Sequence, residues 1–276
     1  MVCDMKEIQI RKNDAGQRLD RFVGKAVPLL PESLLQKYIR LKRIKRNGKG
    51  AKRDVRLVEG DVLQLYINDE FFERPTEQNA WLKIATPRLD IVYEDENILL
   101  ADKKPGVLCH SAGEWSWDTL ISNIQAYLRQ NGQWDPKAEN AFTPALCNRI
   151  DRNTGGIVIA AKDAETLRVI NEKIRDREMD KRYLCIAHGI FEKKEALLSG
   201  YLQKDSGKNL VKVFDQKPSF GEPKEILTEY RVLAETDRLS LLEVHLITGR
   251  THQIRAHLSH IGHPLFGDGK YGSGRE

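Results

Sequence analysis

The chain has 276 residues, of which 40% are hydrophobic and 31% are charged, and its formal net charge is +5. This composition suits a globular protein of one large or two smaller domains. The sequence contains no apolar run of membrane-spanning length, no apolar signal segment near Met1 and no closely spaced pair among its four cysteines. We therefore expect a protein without a membrane segment or a cysteine-bound zinc ion, located in the reducing cytoplasm.

Positive charge is concentrated near the N-terminus. Residues 1–67 carry 16 Lys or Arg against 8 Asp or Glu, whereas the remaining residues carry 29 against 32. Such a local excess is typical of a surface that binds a polyanion, although a solvated run of charges is the common alternative. The residues that we expect to contact phosphate groups are Lys37, Arg40, Lys42, Arg43, Lys45, Arg46 and Lys49.

The first part of the chain combines helical and strand patterns. Apolar residues recur first at helical spacing and later in short runs, and an Asn-Gly pair between them favours a tight turn. The predicted elements are helices over residues 17–27 and 32–41, a turn at Asn47-Gly48, and strands at 55–58 and 62–67. A polar stretch, residues 68–86, is then expected to be a linker.

The remainder of the chain predicts a larger domain. Its elements do not alternate regularly between strand and helix, so an α+β fold is expected rather than a doubly wound one. The predicted strands cover residues 89–93, 97–101, 157–161, 183–189 and 229–244, and the predicted helices cover 119–131, 163–178 and 251–261.

The most informative stretch is residues 147–162, in which one carboxylate, Asp151, lies between Arg149 and Arg152. A polar turn follows, and the apolar run 157–161 then predicts a buried strand. An aspartate held on a tight turn beside cations stays ionised, which is a property of catalytic nucleophiles and bases. Asp in such a turn can also serve only to bond the backbone, so this stretch alone leaves both roles open.

Four stretches resemble, in order, the sequence elements of the RluA-type pseudouridine synthases. They are Asp102-Lys103-Lys104-Pro105-Gly106, residues 148–156, Lys181-Arg182-Tyr183, and residues 246–272 with Thr-Gly-Arg-Thr-His-Gln-Ile-Arg followed by Gly-His-Pro-Leu-Phe-Gly-Asp. Three positions depart from the family signature, because Asn148 replaces His, Ile150 replaces Leu and Gly155 replaces Ser. The resemblance implies an isomerase that detaches uracil from its ribose in RNA and rejoins it through ring carbon five.

The same resemblance assigns roles to individual residues. It implies that Asp151 is the catalytic aspartate, Arg255 its paired arginine, and Tyr183 the aromatic residue that stacks on the flipped uracil. Whether Asp151 attacks the anomeric carbon or abstracts a sugar proton stays open. The residues expected to shape the site or to bind substrate are Arg149, Arg152, Thr154, Arg250, Thr251 and His252. No cofactor is expected, and the sequence lacks the Walker A and dinucleotide-binding signatures.

A second resemblance concerns the basic N-terminal part, which is similar to the RNA-binding domain named after the fourth small-subunit ribosomal protein. The matching residues are Gly16, Arg18, Leu19, Asp20, Asn47, Gly48, Gly60 and Asp61. The implied organisation is a small helical and β RNA-binding domain at 1–67, a linker at 68–86, and a larger, mainly antiparallel catalytic domain at 87–276. The family usually continues with further strands, so we expect a catalytic sheet that lacks them. The expected partner is RNA, above all ribosomal RNA, and the expected state is a monomer.

Three alternatives were weighed. The chain could be a non-catalytic RNA-binding or assembly protein on the same fold, or a nucleotide-dependent enzyme with Thr154-Gly155-Gly156 as a phosphate loop, although the required glycine spacing and Lys are missing. Four clustered histidines could also bind a metal, but no suitable acid or His-Glu-x-x-His motif accompanies them, so no metal site is expected. These histidines are His252, His257, His260 and His263. Lys103 and His110 are expected to be surface or loop residues.

Overall fold

The computed structural model describes residues 5–11, 14–74, 76, 79–111, 116–136, 142–205 and 210–272. The chain divides into two compact units, Met1–Val169 and Ile170–Glu276. The α-helices in the described ranges are α1 (Leu19–Ala26), α2 (Glu32–Arg40), α3 (Leu120–Gln130), α4 (Ala164–Arg175) and α5 (Gln253–His260). The strands there are β1 (Lys6–Gln9), β2 (Ile44–Arg46), β3 (Lys49–Gly50), β4 (Val62–Leu65), β5 (Ile91–Glu94), β6 (Ile98–Lys103), β7 (Ala145–Leu146), β8 (Gly156–Ala161), β9 (Arg182–His188), β10 (Glu195–Asp205), β11 (Leu210–Phe214), β12 (Lys224–Glu235) and β13 (Leu239–Leu246).

The N-terminal layer of the first unit is a small antiparallel sheet, in the order β1-β4-β2-β3, packed against α1 and α2. Both helices are amphipathic and bury their apolar faces, including Phe22 and Ile39, in one cluster with Leu63 and Leu65 of β4. The turn between β2 and β3 has Asn47 and Gly48 at φ of 49° and 77°. Positive φ at both central residues is what a two-residue hairpin requires, so the predicted Asn-Gly turn is confirmed.

The strand predicted at residues 55–58 was wrong. This segment pairs by a single bridge, between Arg56 and Arg18, and its Leu57 instead exchanges backbone hydrogen bonds with the loop before α1. The Leu57 N–H donates to the Gln17 carbonyl at 2.9 Å, and the Gly16 N–H donates to the Leu57 carbonyl at 2.8 Å. Leu57 is buried, so the apolar pattern of residues 55–58 indicates a buried loop rather than a strand of a sheet.

The segment after this sheet contains two short 3-10 helices, Asp69–Phe72 and Ala80–Lys83. Phe71 and Leu82 are buried in the N-terminal cluster, and the Trp81 ring contacts Trp134 edge-on at a centroid distance of 5.4 Å. The segment 68–86 therefore contributes to the core, and its role as the boundary between domains stays a prediction.

The other layer of the first unit is the sheet β5-β6-β8-β7, in which each pairing is antiparallel. Helix α3 begins at the Thr119 hydroxyl, which accepts a hydrogen bond from the Ser122 N–H and so caps the helix. Its Ile124 packs with Leu99 of β6 and Val158 of β8. This layer carries the segment with Asp151, because that segment joins β7 to β8.

The second unit is built on a five-stranded antiparallel sheet in the order β11-β10-β12-β13-β9. Strand β13 alternates strictly between half-buried and buried residues, and its buried Leu242 and Val244 pack with Leu258 of α5. The predicted strands at 183–189 and 229–244 correspond to β9, β12 and β13. Strands β10 and β11 have no counterpart in the sequence prediction. None of the helices in the described part of the chain has the length and apolar character to cross a membrane.

Candidate active site

Asp151 lies in the first unit, in the loop between β7 and β8. Its side chain is half-buried, and its carbonyl accepts a hydrogen bond from the Thr154 N–H at 3.1 Å, which closes a tight turn. The neighbouring Ile150 packs against the apolar cluster under the sheet. The turn predicted from the sequence is therefore present, and its anchor in the core fixes the backbone that carries the carboxylate.

Asn148, which stands where the family signature has His, ties this loop to β8. Its amide oxygen accepts from the Ile159 N–H at 2.8 Å, and its amide nitrogen donates to the Ile157 carbonyl at 3.3 Å. The Asn148 side chain thus forms two hydrogen bonds with the backbone of β8, in the way that a neighbouring strand would. The loop therefore stays attached to the sheet although Asn replaces His.

Lys103, at the end of β6, holds the loop that carries Asp151 through hydrogen bonds to backbone carbonyls. This residue is only 1% exposed, and its ammonium group donates to the carbonyls of Lys104, Val107 and Arg152 at 3.2, 2.9 and 3.0 Å. Burial lowers the pKa of Lys103, and the charges of Cys109 and Asp151 oppose that shift. The expectation that Lys103 is a surface or loop residue was wrong, whereas His110 is indeed exposed.

A second set of hydrogen bonds joins the segment 102–106, the first of the four sequence elements, to the turn that carries Asp151. The Gly106 N–H donates to the Arg152 carbonyl at 2.8 Å, and the Arg152 Nε donates to the Gly106 carbonyl at 3.1 Å. A Cβ at Gly155 would lie 3.2 Å from the Cδ of Pro105, so glycine lets the two segments approach. Two elements that are about 45 residues apart in sequence therefore form one rigid support for Asp151.

The other predicted residues of this loop have different surroundings. Arg149 and Arg152 are exposed and Thr154 is half-buried. Because the Arg152 Nε is bound to Gly106, its guanidinium helps to hold the loop in addition to any contact with substrate.

Tyr183 lies in the second unit, on β9, where it pairs with Val244 of β13. It is half-buried and packs against the apolar cluster between the sheet and α5. The carbonyl of Lys181, just before this strand, accepts from the Leu246 N–H at 2.9 Å, which carries the pairing to the end of β13.

Lys181, for which no role was predicted, interacts with the positive charges of Arg177 and Arg250. Burial lowers the pKa of Lys181, and the positive charges of Arg177 and Arg250 lower it further. Gly249 lies beside it, because a Cβ at that position would be 3.5 Å from the Lys181 Nζ. Arg250 and Thr251, both predicted substrate-binding residues, are exposed at this point. The mutual repulsion of these positive charges would be relieved by an anionic partner.

The loop with Arg250 is held by a buried polar network centred on Gln253, which is 2% exposed. The Gln253 amide oxygen accepts from the Thr248 hydroxyl and from the Arg250 N–H, each at 3.0 Å. Its amide nitrogen donates to the Leu227 carbonyl and to the Thr228 hydroxyl, each also at 3.0 Å. Every polar atom of this side chain is satisfied, so the loop geometry is specified from within the core.

His252 ends this loop in the left-handed conformation, with φ of 54°. Its Nδ1 lies 2.8 Å from the Tyr271 hydroxyl, which itself accepts from the Val211 N–H at 3.0 Å. The tautomer of His252 decides which of the two groups donates in this contact.

Arg255 forms a bidentate ion pair with Asp268, a residue that the sequence analysis gave no role. The Arg255 Nε and Nη2 donate to the two carboxylate oxygens at 2.7 and 2.9 Å, and the Asp268 side chain is only 5% exposed. Burial alone would raise the pKa of Asp268, but the bonds from Arg255 and from two backbone N–H groups outweigh it and lower the pKa. The guanidinium also lies 5.1 Å from the centre of the Tyr271 ring. The Gly-Asp of the last sequence element was the signal for this partner.

The four clustered histidines have separate partners in the second unit. His252 contacts the Tyr271 hydroxyl and His257 contacts the Thr228 hydroxyl. His260 contacts the Asp215 carboxylate and His263 contacts the His188 carbonyl. Among the residues that the structure describes, no three His, Cys, Asp or Glu side chains form a group that could hold a metal ion.

Acid is expected to weaken the fold through His257. Burial is the main cause that lowers its pKa to about 4, against 6.5 for the unfolded chain, and the side chain is 2% exposed. Between these two values the unfolded chain binds the proton first, so stability falls as pH drops from 6.5 to 4, by about 3 kcal/mol in total. Urea unfolding across this range should show the loss, and His257→Gln should remove most of it. His110→Gln, which changes an exposed histidine of the first unit, should keep the loss; an unchanged slope in His257→Gln would contradict the assignment.

Known proteins resemble this chain along most of its length. The profile of the family described as RNA pseudouridylate synthase matches residues 97–260. An RNA pseudouridine synthase of Mycoplasma genitalium is 34% identical over 267 residues, which cover 95% of this chain and 80% of that protein. The ribosomal large subunit pseudouridine synthase C of Buchnera aphidicola is 31% identical over 274 residues, covering 96% and 80%.

Solved structures support the fold. The human RNA pseudouridylate synthase domain containing 1 superposes with a TM-score of 0.54 at 23% identity, over 67% of this chain and 70% of that one. The human RNA pseudouridylate synthase domain containing 4 superposes with a TM-score of 0.53 at 24% identity, over 67% of this chain and 69% of that one. The predicted mixed fold with mainly antiparallel sheets is confirmed.

The chain belongs to the RNA pseudouridylate synthase family, which confirms the resemblance drawn from the four sequence elements. It is an RNA pseudouridine synthase, an isomerase that converts uridine in RNA to pseudouridine.

Proposed function

We propose that this enzyme modifies uridines of large-subunit ribosomal RNA and that Asp151 is its catalytic carboxylate. The choice of substrate is supported by relatives named ribosomal large subunit pseudouridine synthase C, which match 96–97% of the chain, and by the basic N-terminal part. The observation that carries the role of Asp151 is the clamp on both sides of it. The Ile150 carbonyl accepts from the Cys109 thiol at 3.4 Å, and the Arg152 carbonyl accepts from Lys103.

The reaction asks little else of the protein. The bond between the anomeric carbon and N1 breaks, the uracil turns, a bond forms to ring carbon five, the proton of that carbon leaves and N1 gains a proton. No electrons are gained or lost, so no redox partner is required. Asp151 acts on the ribose as nucleophile or as base, and a fixed backbone keeps its carboxylate in the reactive geometry.

Two residues of the second unit belong to the proposed machinery by their match to the family's sequence elements. The motif match supports Arg255 as the arginine of this machinery, and its bidentate pair with Asp268 fixes the plane of its guanidinium. Tyr183 offers an aromatic face on which the flipped uracil stacks. The cations Lys181 and Arg250 bind the phosphates that flank the target nucleotide.

We also propose that residues 1–67 form an RNA-binding domain similar to that of the fourth small-subunit ribosomal protein, followed by a linker at 68–86 and a catalytic domain at 87–276. Lys37, Arg40 and Lys49 are exposed there and suit contact with phosphate. Arg46 differs from them, because its Nε lies 2.6 Å from the buried carboxylate of Asp61 and its charge is neutralised. A monomeric state and a cytoplasmic location stay predictions from the sequence.

The exposed cations are expected to set the salt dependence of RNA binding. Each phosphate contact that is lost lowers the slope of log affinity against log salt by about 0.7 to 0.9. Changing Lys37, Arg40 and Lys49 together to Gln should therefore reduce the slope by about 2 to 3. Affinity measured at several salt concentrations gives the slope, and Lys25→Gln on α1 is the single-charge control. A triple variant with the slope of the parent would assign these cations to a solvated surface.

The substrate itself is tested by tritium release. Transcripts of large-subunit ribosomal RNA, small-subunit ribosomal RNA and transfer RNA, each labelled at carbon five of uridine, are incubated with the full chain. We expect release from the large-subunit transcript and little from the other two. Release from transfer RNA alone would overturn the ribosomal assignment while leaving the enzyme an RNA pseudouridine synthase.

A further inference from the structure

A shallow hollow of about 390 Å³, wide open to solvent, lies in the first unit, and Lys42, Arg43, Lys45 and Tyr66 line it. The lining thus combines three cations with one aromatic ring. In the described part of the chain none of the three cations forms an ion pair with a carboxylate, in contrast to the neighbouring Arg46. The hollow therefore carries uncompensated positive charge.

The backbone at the end of α2 places two of these cations. The Lys42 N–H donates to the Ile39 carbonyl and the Arg43 N–H to the Tyr38 carbonyl, at 3.0 and 2.9 Å, and Lys42 has φ of 56°. This is the pattern that ends many helices, with Lys42 at the position that glycine usually occupies. A side chain there costs about 1 kcal/mol, yet the chain carries lysine.

Tyr66 is fixed on the other side of the hollow. Its N–H donates to the Arg43 carbonyl at 2.9 Å, which extends β4 by one residue and sets the ring beside the cations. The Lys45 ammonium lies 5.1 Å from the centre of the Tyr66 ring, and the Arg43 guanidinium lies 4.4 Å from that of Tyr38. The Tyr66 ring is half-buried, so one part packs on the protein and the rest faces the hollow.

We propose that this hollow binds one unpaired nucleotide of RNA, with its base on the Tyr66 ring and its phosphate between Lys42 and Arg43. The proposal rests on the proposed RNA-binding role of residues 1–67 and names what part of the RNA they select. A base takes the place of the Lys45 ammonium over the ring, and that ammonium then meets the nucleotide's phosphate. Aromatic stacking together with backbone cations is the chemistry of single-stranded nucleic acid recognition, whereas a paired base exposes no face.

The test compares two RNA hairpins that differ by one bulged nucleotide. Tyr66→Ala in the full chain should lower affinity for the bulged hairpin about fivefold or more and leave affinity for the fully paired hairpin unchanged. Tyr66→Phe keeps the ring and should bind both like the parent. Tyr93→Ala, which removes an exposed tyrosine of β5, is the matched control. Equal affinities of Tyr66→Ala and the parent for the bulged hairpin, or an equal loss on both hairpins, would overturn the proposal.

Lys42→Gly tests the phosphate part without endangering the fold, because glycine suits the left-handed backbone. It should lower the salt slope for the bulged hairpin by about 0.7 to 0.9, with a melting temperature no lower than that of the parent. Tyr66→Ala should leave that slope unchanged, since it removes no charge. If Lys42→Gly has the same slope of log affinity against log salt as the parent, the assignment of Lys42 to a phosphate is overturned.

The two proposals fail in different ways. If the Lys37, Arg40 and Lys49 triple variant reduces the salt slope and Tyr66→Ala has no effect, the nucleotide hollow is wrong and the RNA-binding domain stands. If none of these variants changes RNA binding, both are wrong.

Discussion

Asp151→Asn is expected to lower pseudouridine formation by about 10⁴-fold and to leave RNA affinity nearly unchanged. The amide has almost the shape of the carboxylate, so the clamped turn of Lys103, Arg152 and Gly106 persists. What is lost is the negative charge and basicity that the chemical step requires. Tritium release under single-turnover conditions reports the chemistry, and a filter-binding titration with the same RNA reports affinity.

Asp237→Asn provides the control for this variant. Asp237 is also on a turn, is 85% exposed and pairs only loosely with its neighbour Arg238, at 3.6 Å. It should turn over like the parent. Tritium release by Asp151→Asn within tenfold of the parent would rule out Asp151 as the catalytic group, since neutral amides are neither nucleophiles nor bases at pH 7.

Asp268→Asn should give the second large effect, a fall in kcat of about 10²-fold with a smaller change in KM. Asn can accept from only one nitrogen of the Arg255 fork, so the guanidinium loses its fixed plane and its countercharge. Leaving the arginine partly buried without its carboxylate should also cost about 3 kcal/mol of stability. Turnover is therefore measured at a temperature at which circular dichroism shows the variant fully folded.

A positioning role is separated from a merely structural one by a double-mutant cycle in kcat. If Asp268 acts through Arg255, adding Asp268→Asn to Arg255→Lys should cost little beyond the single change, because the fork is already gone. Additive losses in kcat would mean that Asp268 supports the fold independently of Arg255.

Elements with a clean period were predictable from sequence. The helix predicted at 119–131 agrees with α3 to within one residue at each end. The alternation at 229–244 predicted strand correctly, but the break between β12 and β13 was not located. Strand β10 was missed because Leu197 and Leu198 are adjacent and Gly200 interrupts the run, which hides the alternation. Its conformation comes from pairing with β11 and β12, which no local pattern encodes.

The site residues Asp151, Tyr183 and Arg255 came from the sequence elements, and their roles stay proposals. The buried position of Lys103 was not predicted, because Lys is rarely buried. It lies on the same face of β6 as the buried Leu99 and Ala101, and this spacing of two residues could have indicated that Lys103 is buried. Arg46 turns inward because it pairs with Asp61, which lies just before β4 and 15 residues further along the chain, and composition does not reveal such a contact.

The most direct test of the account is pseudouridine mapping of ribosomal RNA in cells that lack this gene and in the same cells supplied with either the parent or Asp151→Asn. We predict that specific uridines of the large-subunit RNA lose the modification without the gene, regain it with the parent, and stay unmodified with Asp151→Asn at equal protein levels. Restoration by Asp151→Asn, or an unchanged map without the gene, would contradict the assignment of this chain to Asp151-dependent modification of large-subunit ribosomal RNA.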